Sequence, residues 1–178
     1  MRYFSFDKLI KRDPQYIIAI TGRGSGKSTD MARKLIEAYE NEGEMFVMIR
    51  RRMGVKMALE TWFDSFDYSV TENENYDKDK DPFYKERNHV IEFHSSGSYK
   101  DMYTIDGKPF GYVCYLSLSN KVKSAVFDPK TTRIVLEEVI ENGINDYIAN
   151  EYSALMSIVS TVFRHRNGQV FILGNFLN

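Results

Sequence analysis

A glycine-rich octapeptide near the N-terminus has the residue types and spacing of a phosphate-binding loop. It reads Thr-Gly-Arg-Gly-Ser-Gly-Lys-Ser and runs from Thr21 to Ser28. Glycines let backbone N–H groups turn towards phosphate oxygens, and a helix that begins at the loop adds the positive end of its dipole. In such a loop the lysine, here Lys27, contacts the β- and γ-phosphates, and the Ser28 hydroxyl is a ligand for Mg²⁺. The sequence therefore predicts a site for ATP and Mg²⁺.

The predicted nucleotide contacts cover the whole loop and the residue after it. They are Thr21, Gly22, Arg23, Gly24, Ser25, Gly26, Lys27, Ser28 and Thr29. Thr21 departs from the Walker A pattern, which has a glycine at this position. The position carries no charge, so we expect threonine to be tolerated if its φ is negative. The alternative is a glycine-rich turn with a chance Gly-Lys-Ser, and the order strand, loop, helix argues against it.

Two adjacent carboxylates, Glu137 and Glu138, follow the apolar residues of "RIVL" (133–136). An ATPase of this kind needs an acid at the end of a strand near the loop. Glu137 is predicted to hold the Mg²⁺ water shell, where aspartate is more usual, and Glu138 to polarise the attacking water. A lone pair of glutamates is more often the solvated end of a strand, but the loop upstream favours the catalytic interpretation.

Three arginines have types and positions that suit a γ-phosphate. Arg23 lies among the loop glycines and is expected to point at the nucleotide or across a subunit boundary, and Arg164 and Arg166 end a helical pattern. A guanidinium can neutralise charge that develops on the γ-phosphate. Basic side chains also stabilise a helix C-terminus. For Arg164 and Arg166 the local sequence leaves both interpretations open.

The elements that must position these residues follow from hydrophobic periodicity and turn signals. Helices are predicted over 28–40, ended by Gly43, and over 149–166, with Asn150 as N-cap. Asp106-Gly107 is a strong signal for a two-residue hairpin. The polar residues 71–81 indicate an exposed, mobile loop. Strands are predicted at 15–20, 45–49, 89–93, 103–119, 131–140 and 169–175. The alternation predicts an α/β fold with a mainly parallel sheet flanked by helices and a β-hairpin insertion.

Composition limits the class of protein. The 178 residues are 43% hydrophobic, which suits one domain over 1–178, and the net charge of −1 requires any site for nucleic acid to be a local patch. The single Cys114 excludes an internal disulfide and indicates a reducing compartment. Without a signal peptide or a long apolar run, we expect a soluble intracellular domain with no membrane contact. The final apolar strand suggests one domain of a longer chain.

The remaining residues with functional chemistry give weaker signals. His89, His94 and His165 are scattered, make no metal-binding set and are expected to be surface groups. Trp62 is most simply a packing residue.

Several segments together resemble the DNA-packaging ATPases of small tailed phages of the φ29 type. They are "GRGSGKS", "FVMIRRR", "RIVLEEVI", "YIANEYSALMSIVSTVFRHR" and the terminal "LGN". The resemblance implies a P-loop NTPase of the additional-strand, catalytic-glutamate type. It implies a homomeric ring, expected to be a pentamer in the full-length protein, that drives double-stranded DNA into an empty procapsid. Such a ring works in the host cytoplasm, transiently at the portal vertex, with packaging RNA as a further candidate partner and a nuclease-like domain following the ATPase domain.

The resemblance also implies roles for single residues. Glu137 is the Walker B acid, and its extra methylene relative to aspartate moves the carboxylate by about 1.5 Å. Glu138 is the catalytic glutamate, Arg164 is a finger that acts in trans, and Asn175 senses the γ-phosphate. The family's DNA-gripping loop corresponds to "SNKVKSAVFDPK" (119–130), with Lys121 and Lys123 as the phosphate contacts. The next candidates for DNA contact are Arg50, Arg51 and Arg52.

Other nucleotide-binding proteins share part of this pattern. A small-molecule or nucleotide kinase has the same loop and sheet but must exclude water, whereas a glutamate at position 138 favours activating it. "SNKVK" (119–123) lacks the aspartate that a guanine-specific motif requires. A non-catalytic nucleotide-binding scaffold, and another nucleic-acid-translocating P-loop ATPase, are the remaining alternatives.

Overall fold

The buried runs of the sequence form one seven-stranded sheet in the computed structural model, which describes residues 4–53, 56–140 and 147–176. The strands are β1 (Tyr16–Thr21), β2 (Met45–Arg50), β3 (Ile91–His94), β4 (Lys100–Ile105), β5 (Lys108–Tyr115), β6 (Thr131–Leu136) and β7 (Gln169–Asn175). The α-helices are α1 (Asp7–Ile10), α2 (Lys27–Glu42), α3 (Lys56–Glu60), α4 (Ser119–Val122) and α5 (Glu151–Phe163). Short 3₁₀ turns span Tyr68–Glu72, Tyr84–Glu86 and Leu116–Leu118.

The strand order is β1-β7-β6-β2-β5-β4-β3, and the first five strands in that order are parallel. The predicted mainly parallel α/β sheet is therefore confirmed. We call the edge where β1, β7, β6 and β2 end the carboxyl edge, and the edge where these strands begin the amino edge. In the register, Thr21 lies opposite Asn175 and Leu136 opposite Ile172 and Ile49. Residues that follow these strands therefore meet at the carboxyl edge.

Helices cover both faces of the sheet, as predicted. Met31 and Leu35 of α2 belong to the apolar cluster that contains Ile17, Val135 and Phe171. The cluster on the opposite face contains α5 and the alternate positions of the same strands; its members include Ile158, Val162, Val47, Ile134 and Val170. Because successive strand residues point to opposite faces, strands buried on both sides are continuously apolar, as β2 is.

The predicted hairpin is present, but it is part of the main sheet rather than an insertion outside it. Asp106 and Gly107 have φ values of 49° and 74°, which suit a tight two-residue turn between β4 and β5. β5 then pairs in parallel with β2, where Phe46 lies opposite Gly111. The strand predicted to continue to residue 119 ends at Tyr115, and 3₁₀ and α-helical turns follow it.

Element boundaries differ from the predictions where the backbone turns left-handed. Gly43 ends α2 with φ 69°, as predicted. Asn150 precedes α5, but its backbone oxygen rather than its side chain accepts a hydrogen bond, from Ala154 N at 3.0 Å. α5 ends at Phe163, three residues before the predicted end, because Arg164 has φ 40°. β6 ends at Leu136, not residue 140; Glu138 has φ 56°, which no strand accommodates.

One carboxylate links the end of the segment predicted as a mobile loop to residues that follow it. Asp81 accepts hydrogen bonds from Arg87 Nε at 2.6 Å and Phe83 N at 2.9 Å, and it also contacts the Tyr76 hydroxyl. Arg87 is buried and also donates to Asp67 O at 3.0 Å. Most residues of 71–81 are exposed, as predicted, and Asp81 links the end of the segment to Arg87; its mobility stays a prediction.

Candidate functional site

The loop after β1 presents an open group of backbone donors at the carboxyl edge. Thr21 is the last residue of β1 and has extended backbone, the condition under which threonine was expected to replace the usual glycine. Its hydroxyl lies 2.6 Å from Ser25 Oγ. Gly24 and Gly26 have φ values of 73° and 84°, which let the chain turn tightly into α2. Within the described part of the chain, no side chain caps the start of α2. The N-terminal amides of this helix are therefore suited to an anion.

Lys27 reaches back to the end of a neighbouring strand. It is only 6% exposed and donates a hydrogen bond to Asn175 Oδ1, at the end of β7. Burial lowers the pKa of Lys27, and the negative charge of Glu137 opposes this shift. The ammonium is thus buried beside a neutral amide, which leaves it electrostatically suited to an anionic ligand.

Glu137 and Glu138 lie just beyond β6, and one guanidinium joins them. Arg50, at the end of the adjacent β2, donates to Glu137 Oε2 and to Glu138 Oε2, the latter at 3.0 Å. Glu137 Oε1 accepts a second hydrogen bond, from Trp62 Nε1 at 2.9 Å. The Glu137 carboxylate is nearly buried, whereas that of Glu138 is 55% exposed. The two neighbouring acids therefore differ in solvent access and in the number of partners.

These contacts overturn two predictions. Trp62 packs edge-to-face on Phe63, but its indole also positions Glu137, so it is more than a packing residue. Arg50 is 4% exposed, and Arg51 is buried in an ion pair with Glu151 at 2.5 Å, so neither lies on a surface that DNA could reach. The sequence could have indicated that Arg50 lies beside Glu137, because Arg50 ends one apolar strand and Glu137 directly follows another.

A cleft of about 460 Å³ adjoins the loop. Its polar side is formed by the loop, α2 and the end of β7; the residues are Arg23, Gly24, Ser25, Gly26, Lys27, Ser28, Thr29, Asp30, Arg33 and Asn175. Its other side is formed by Phe4, Pro82 and Phe83. The cleft brings most of the predicted nucleotide contacts together with three apolar residues that sequence reasoning missed.

The oxygen ligands available at this edge suit a metal ion that is shared with phosphate. Over residues 4–53, 56–140 and 147–176, no group of three or more His, Cys, Asp or Glu side chains could hold a metal alone. The predicted ligands are one hydroxyl, Ser28, and one carboxylate, Glu137. Mg²⁺ is commonly bound by one or two protein ligands together with substrate phosphates and water. This set of oxygen ligands therefore fits Mg²⁺ bound with ATP.

Arg164 and Arg166 lie at the amino edge, far from the loop of the same chain. They follow α5 and precede β7, close to Gln15 at the start of β1. Arg166 donates to Val162 O and Phe163 O, at 2.5 and 3.0 Å, and so caps the helix C-terminus. Arg164 is exposed and donates to Ala125 O at 2.6 Å. A whole strand length thus separates both arginines from Lys27.

Lys121 and Lys123 are exposed, but they lie on and beside a short helix rather than in an irregular loop. α4 buries Val122 between them against the α5-side cluster. Burial of Val122 anchors the helix that carries Lys121 and precedes Lys123, and both lysines remain accessible to solvent.

The histidines make no metal site, but His89 is more than a surface group. Its two ring nitrogens lie 2.6 Å from Asp106 Oδ2 and 2.9 Å from Glu40 Oε1. His94 contacts Thr104 Oγ1 at 2.9 Å.

In the part of the chain that the structure describes, no helix has the length and apolar character to cross a membrane.

Comparison with known proteins places these features in one family. The family model described as Podovirus DNA encapsidation protein (Gp16) matches residues 1–176. A DNA packaging protein of Bacillus phage B103 is 31% identical over 173 residues, 96% of this chain and 45% of its own length. That of Bacillus phage phi29 is 28% identical over 165 residues, 92% of this chain and 43% of its own length. The chain thus spans less than half the length of these curated relatives.

Solved structures agree with the sequence relationship. The crystal structure of the N-terminal domain of the DNA packaging ATPase from bacteriophage phi29 has a TM-score of 0.74 and 26% identity, and the match covers 97% of this chain and 78% of that chain. The bacteriophage phi29 viral genome packaging motor assembly contains a chain with a TM-score of 0.71 and 28% identity, matched over 100% of this chain and 48% of that chain. On these grounds the chain belongs to the Podovirus DNA encapsidation protein (Gp16) family.

Proposed function

We propose that this chain is the ATP-hydrolysing domain of a ring motor that moves double-stranded DNA into a viral procapsid. The observation that carries the proposal is the convergence at the carboxyl edge of three segments far apart in sequence: the loop at 21–28, Glu137-Glu138 and Asn175. β7 lies between β1 and β6, as the additional strand of the catalytic-glutamate NTPases does. Two structural relatives described as a packaging ATPase domain and a packaging motor support the same assignment.

In this proposal the loop binds the triphosphate and Lys27 neutralises its β- and γ-oxygens. The Ser28 hydroxyl and the Glu137 carboxylate would hold Mg²⁺, which would offset charge on the phosphates. Glu138, with the more exposed carboxylate, accepts a proton from the attacking water as the water approaches the γ-phosphate. Asn175 contacts Lys27 and so lies where it can respond to loss of the γ-phosphate.

Arg50 links the two carboxylates. Its guanidinium contacts Glu137 and Glu138 together, in a site that is nearly closed to solvent on the Glu137 side. Glu138 must have a free oxygen to act as a base. Arg50 contacts Oε2 of Glu138 at 3.0 Å and leaves Oε1 available to a water, whereas the buried Arg50–Glu137 contact positions the metal ligand.

Besides Lys27, the γ-phosphate is expected to need an arginine that offsets the charge developing on it during hydrolysis. Arg164 lies at the amino edge and is exposed, so it can reach a carboxyl edge only in a neighbouring subunit. Its place in the fold thus supports a finger that acts in trans and argues against one that acts within the subunit. Arg23 lines the cleft and is exposed, which suits a contact with nucleotide or with the adjacent subunit.

The proposed DNA contacts are Lys121 and Lys123, on the anchored surface of α4. The net charge of −1 provides no general attraction for DNA, so a local patch must supply it. The proposed partners of the full-length protein are further copies in a ring, the portal of the procapsid and a packaging RNA.

The discriminating experiment is to measure ATP hydrolysis with and without double-stranded DNA while assaying phosphoryl transfer to other acceptors. The proposal expects phosphate release to water that DNA stimulates in the assembled protein. Transfer of phosphate to a small molecule or nucleotide, with little release to water, would instead identify a kinase.

A further inference from the structure

The cleft beside the phosphate-binding loop continues onto an apolar surface that the phosphate chemistry does not use. We call Phe4, Pro82 and Phe83 the aromatic wall. The loop and α2 supply donors and cations on one side of the cleft, and the wall supplies two rings and a proline on the other. A ligand that fills the cleft therefore has an anionic end and an apolar, flat end.

The N-terminal part of the wall is attached directly to the loop. Phe4 N donates to Ser25 O at 2.9 Å, so the backbone of Phe4 runs along the loop. Phe6 is fully buried, packs edge-to-face on Phe171 at 5.6 Å, and its N donates to Asp30 Oδ2 at 2.7 Å. These contacts fix Phe4 beside the first turn of α2, although the N-terminal segment has little regular structure of its own.

The second part of the wall is attached to α2 by an ion pair. Arg33, one turn beyond the loop end of α2, pairs with Glu86 in a forked contact of 2.7 and 3.2 Å. Asp81 accepts a hydrogen bond from Phe83 N at 2.9 Å, and the Phe83 ring packs against Phe66 with centroids 5.7 Å apart. Phe83 is therefore held by its backbone and by its ring, two residues beyond the segment predicted to be mobile.

We propose that the aromatic wall is the subsite for the base of the bound nucleotide, with Phe83 and Phe4 as the stacking residues. The inference rests on the proposed function, because it takes the triphosphate to lie on the loop. The part of ATP that then remains is a ribose and a planar purine. Every base has a π-face that stacks on aromatic side chains, and a preformed, held pair of rings lowers the ordering cost of binding. The segment 71–87 is thereby a structural part of the nucleotide site.

The test compares two ligands that differ by the nucleoside: Mg·ATP and Mg·tripolyphosphate, titrated by calorimetry. Phe83→Leu and Phe4→Leu keep apolar volume and remove the flat ring. Each is expected to weaken Mg·ATP binding by about ten-fold, within the range of base–aromatic stacking, and to leave Mg·tripolyphosphate affinity unchanged. Phe93→Leu is the matched control: Phe93 is a half-buried ring on β3, packed on Tyr103 at 5.2 Å and absent from the cleft lining, and its substitution should change neither affinity.

Three results would overturn the subsite. They are unchanged Mg·ATP affinity in both leucine variants, equal weakening of both ligands, which would mean a distorted loop, and equal binding of both ligands by the unmodified protein. Failure of the proposed function looks different, because Lys27→Ala would then leave the affinity for both ligands unchanged. Thermal melts of each variant show whether the fold is kept.

Discussion

The two edges of the parallel sheet both carry charged side chains but use them differently. At the carboxyl edge, charged side chains from separate segments contact one another or a neutral amide: Arg50 joins Glu137 and Glu138, and Lys27 contacts Asn175. At the amino edge, several charged side chains stabilise the ends of helices and strands. Arg166 caps α5, Arg133 pairs with Glu44 at 2.9 Å, and His89 bridges Glu40 and Asp106.

The difference distinguishes an edge that can bind a ligand from an edge where charged side chains stabilise the fold. Parallel strands bring the groups that follow them to one edge, where helix N-termini also point, so ligands bind there. At the amino edge, helix C-termini and turns have free carbonyls, and cations stabilise them. Arg164 is among the charged residues that remain exposed at the amino edge. Substitutions at matched positions on the two edges test this contrast.

The largest effect is expected for Glu138→Gln. Glutamine keeps the volume and loses the anion that accepts the proton of water, so turnover should fall by about 10²–10⁴-fold while ATP binding is kept. Steady-state phosphate release and nucleotide titration measure the two quantities. Glu42→Gln, exposed near the amino edge, is the control and should hydrolyse normally. A near-normal rate for Glu138→Gln would make Glu137 the better candidate for the base.

Lys27→Ala should reduce ATP affinity by about 100-fold, because hydrogen bonds between charged partners contribute roughly 1.5–3 kcal/mol. Titration with Mg·ATP measures it. Lys130→Ala, an exposed lysine just before β6 at the amino edge, should bind ATP as the unmodified protein does. Equal affinities for the two variants would remove the distinction between the edges and with it the phosphate-binding assignment.

A smaller effect is expected for the double variant Lys121→Ala/Lys123→Ala. Each lost phosphate contact should lower the magnitude of the salt dependence of DNA affinity by about one unit, whereas basal ATP hydrolysis should not change. DNA binding measured over a range of salt concentrations, in the assembled motor, tests this. An unchanged slope would place the DNA site elsewhere, and the buried positions of Arg50 and Arg51 exclude them as its replacement.

The smallest effect concerns His89 and the dependence of stability on pH. Burial alone would lower the pKa of His89, but hydrogen bonds to Glu40 and Asp106 outweigh it, so the pKa is raised above 6.5. A raised pKa in the folded state means that the stabilisation is full below the ordinary pKa and is lost as pH rises through the folded-state value. The thermal stability of the unmodified protein should exceed that of His89→Gln at pH 5.5 and approach it at pH 8.5.

The same substitution also tests the functional difference between the two edges. His89→Gln should leave ATP hydrolysis unchanged at pH 8, since His89 is remote from the loop. A pH-independent difference in melting temperature would mean that His89 is not held as an imidazolium between the two carboxylates.

Local sequence predicted much of this arrangement because glycines, apolar runs and turn pairs act locally. The loop, Gly43 at the end of α2 and the Asp106-Gly107 turn needed no tertiary information. Pairing of β5 with β2 depends on residues more than 60 positions apart, and no periodicity shows it. The contact of Asp81 with Arg87, which lies outside the 71–81 segment, was equally not predictable.

The candidate site divides along the same line. Lys27, Glu137 and Glu138 were predictable because short motifs place them directly after strands. Trp62 and Phe83 were not, since each joins the site through contacts with residues distant in sequence. The position of Arg164 at the opposite edge could have been predicted, because a helix that joins two parallel strands returns the chain to the edge where the next strand begins.

The central claim is that the carboxyl edge of one subunit is completed by the amino edge of the next. The most direct test mixes Arg164→Ala chains, which keep Glu138, with Glu138→Gln chains, which keep Arg164, and measures ATP hydrolysis after native mass spectrometry has shown that they co-assemble. Neither variant alone should hydrolyse ATP, because a finger of this kind contributes about 10³-fold or more. The mixture should recover activity where an intact arginine faces an intact glutamate. Co-assembly without any recovery would contradict the account and would mean that Arg164 acts within its own subunit or only supports the end of α5.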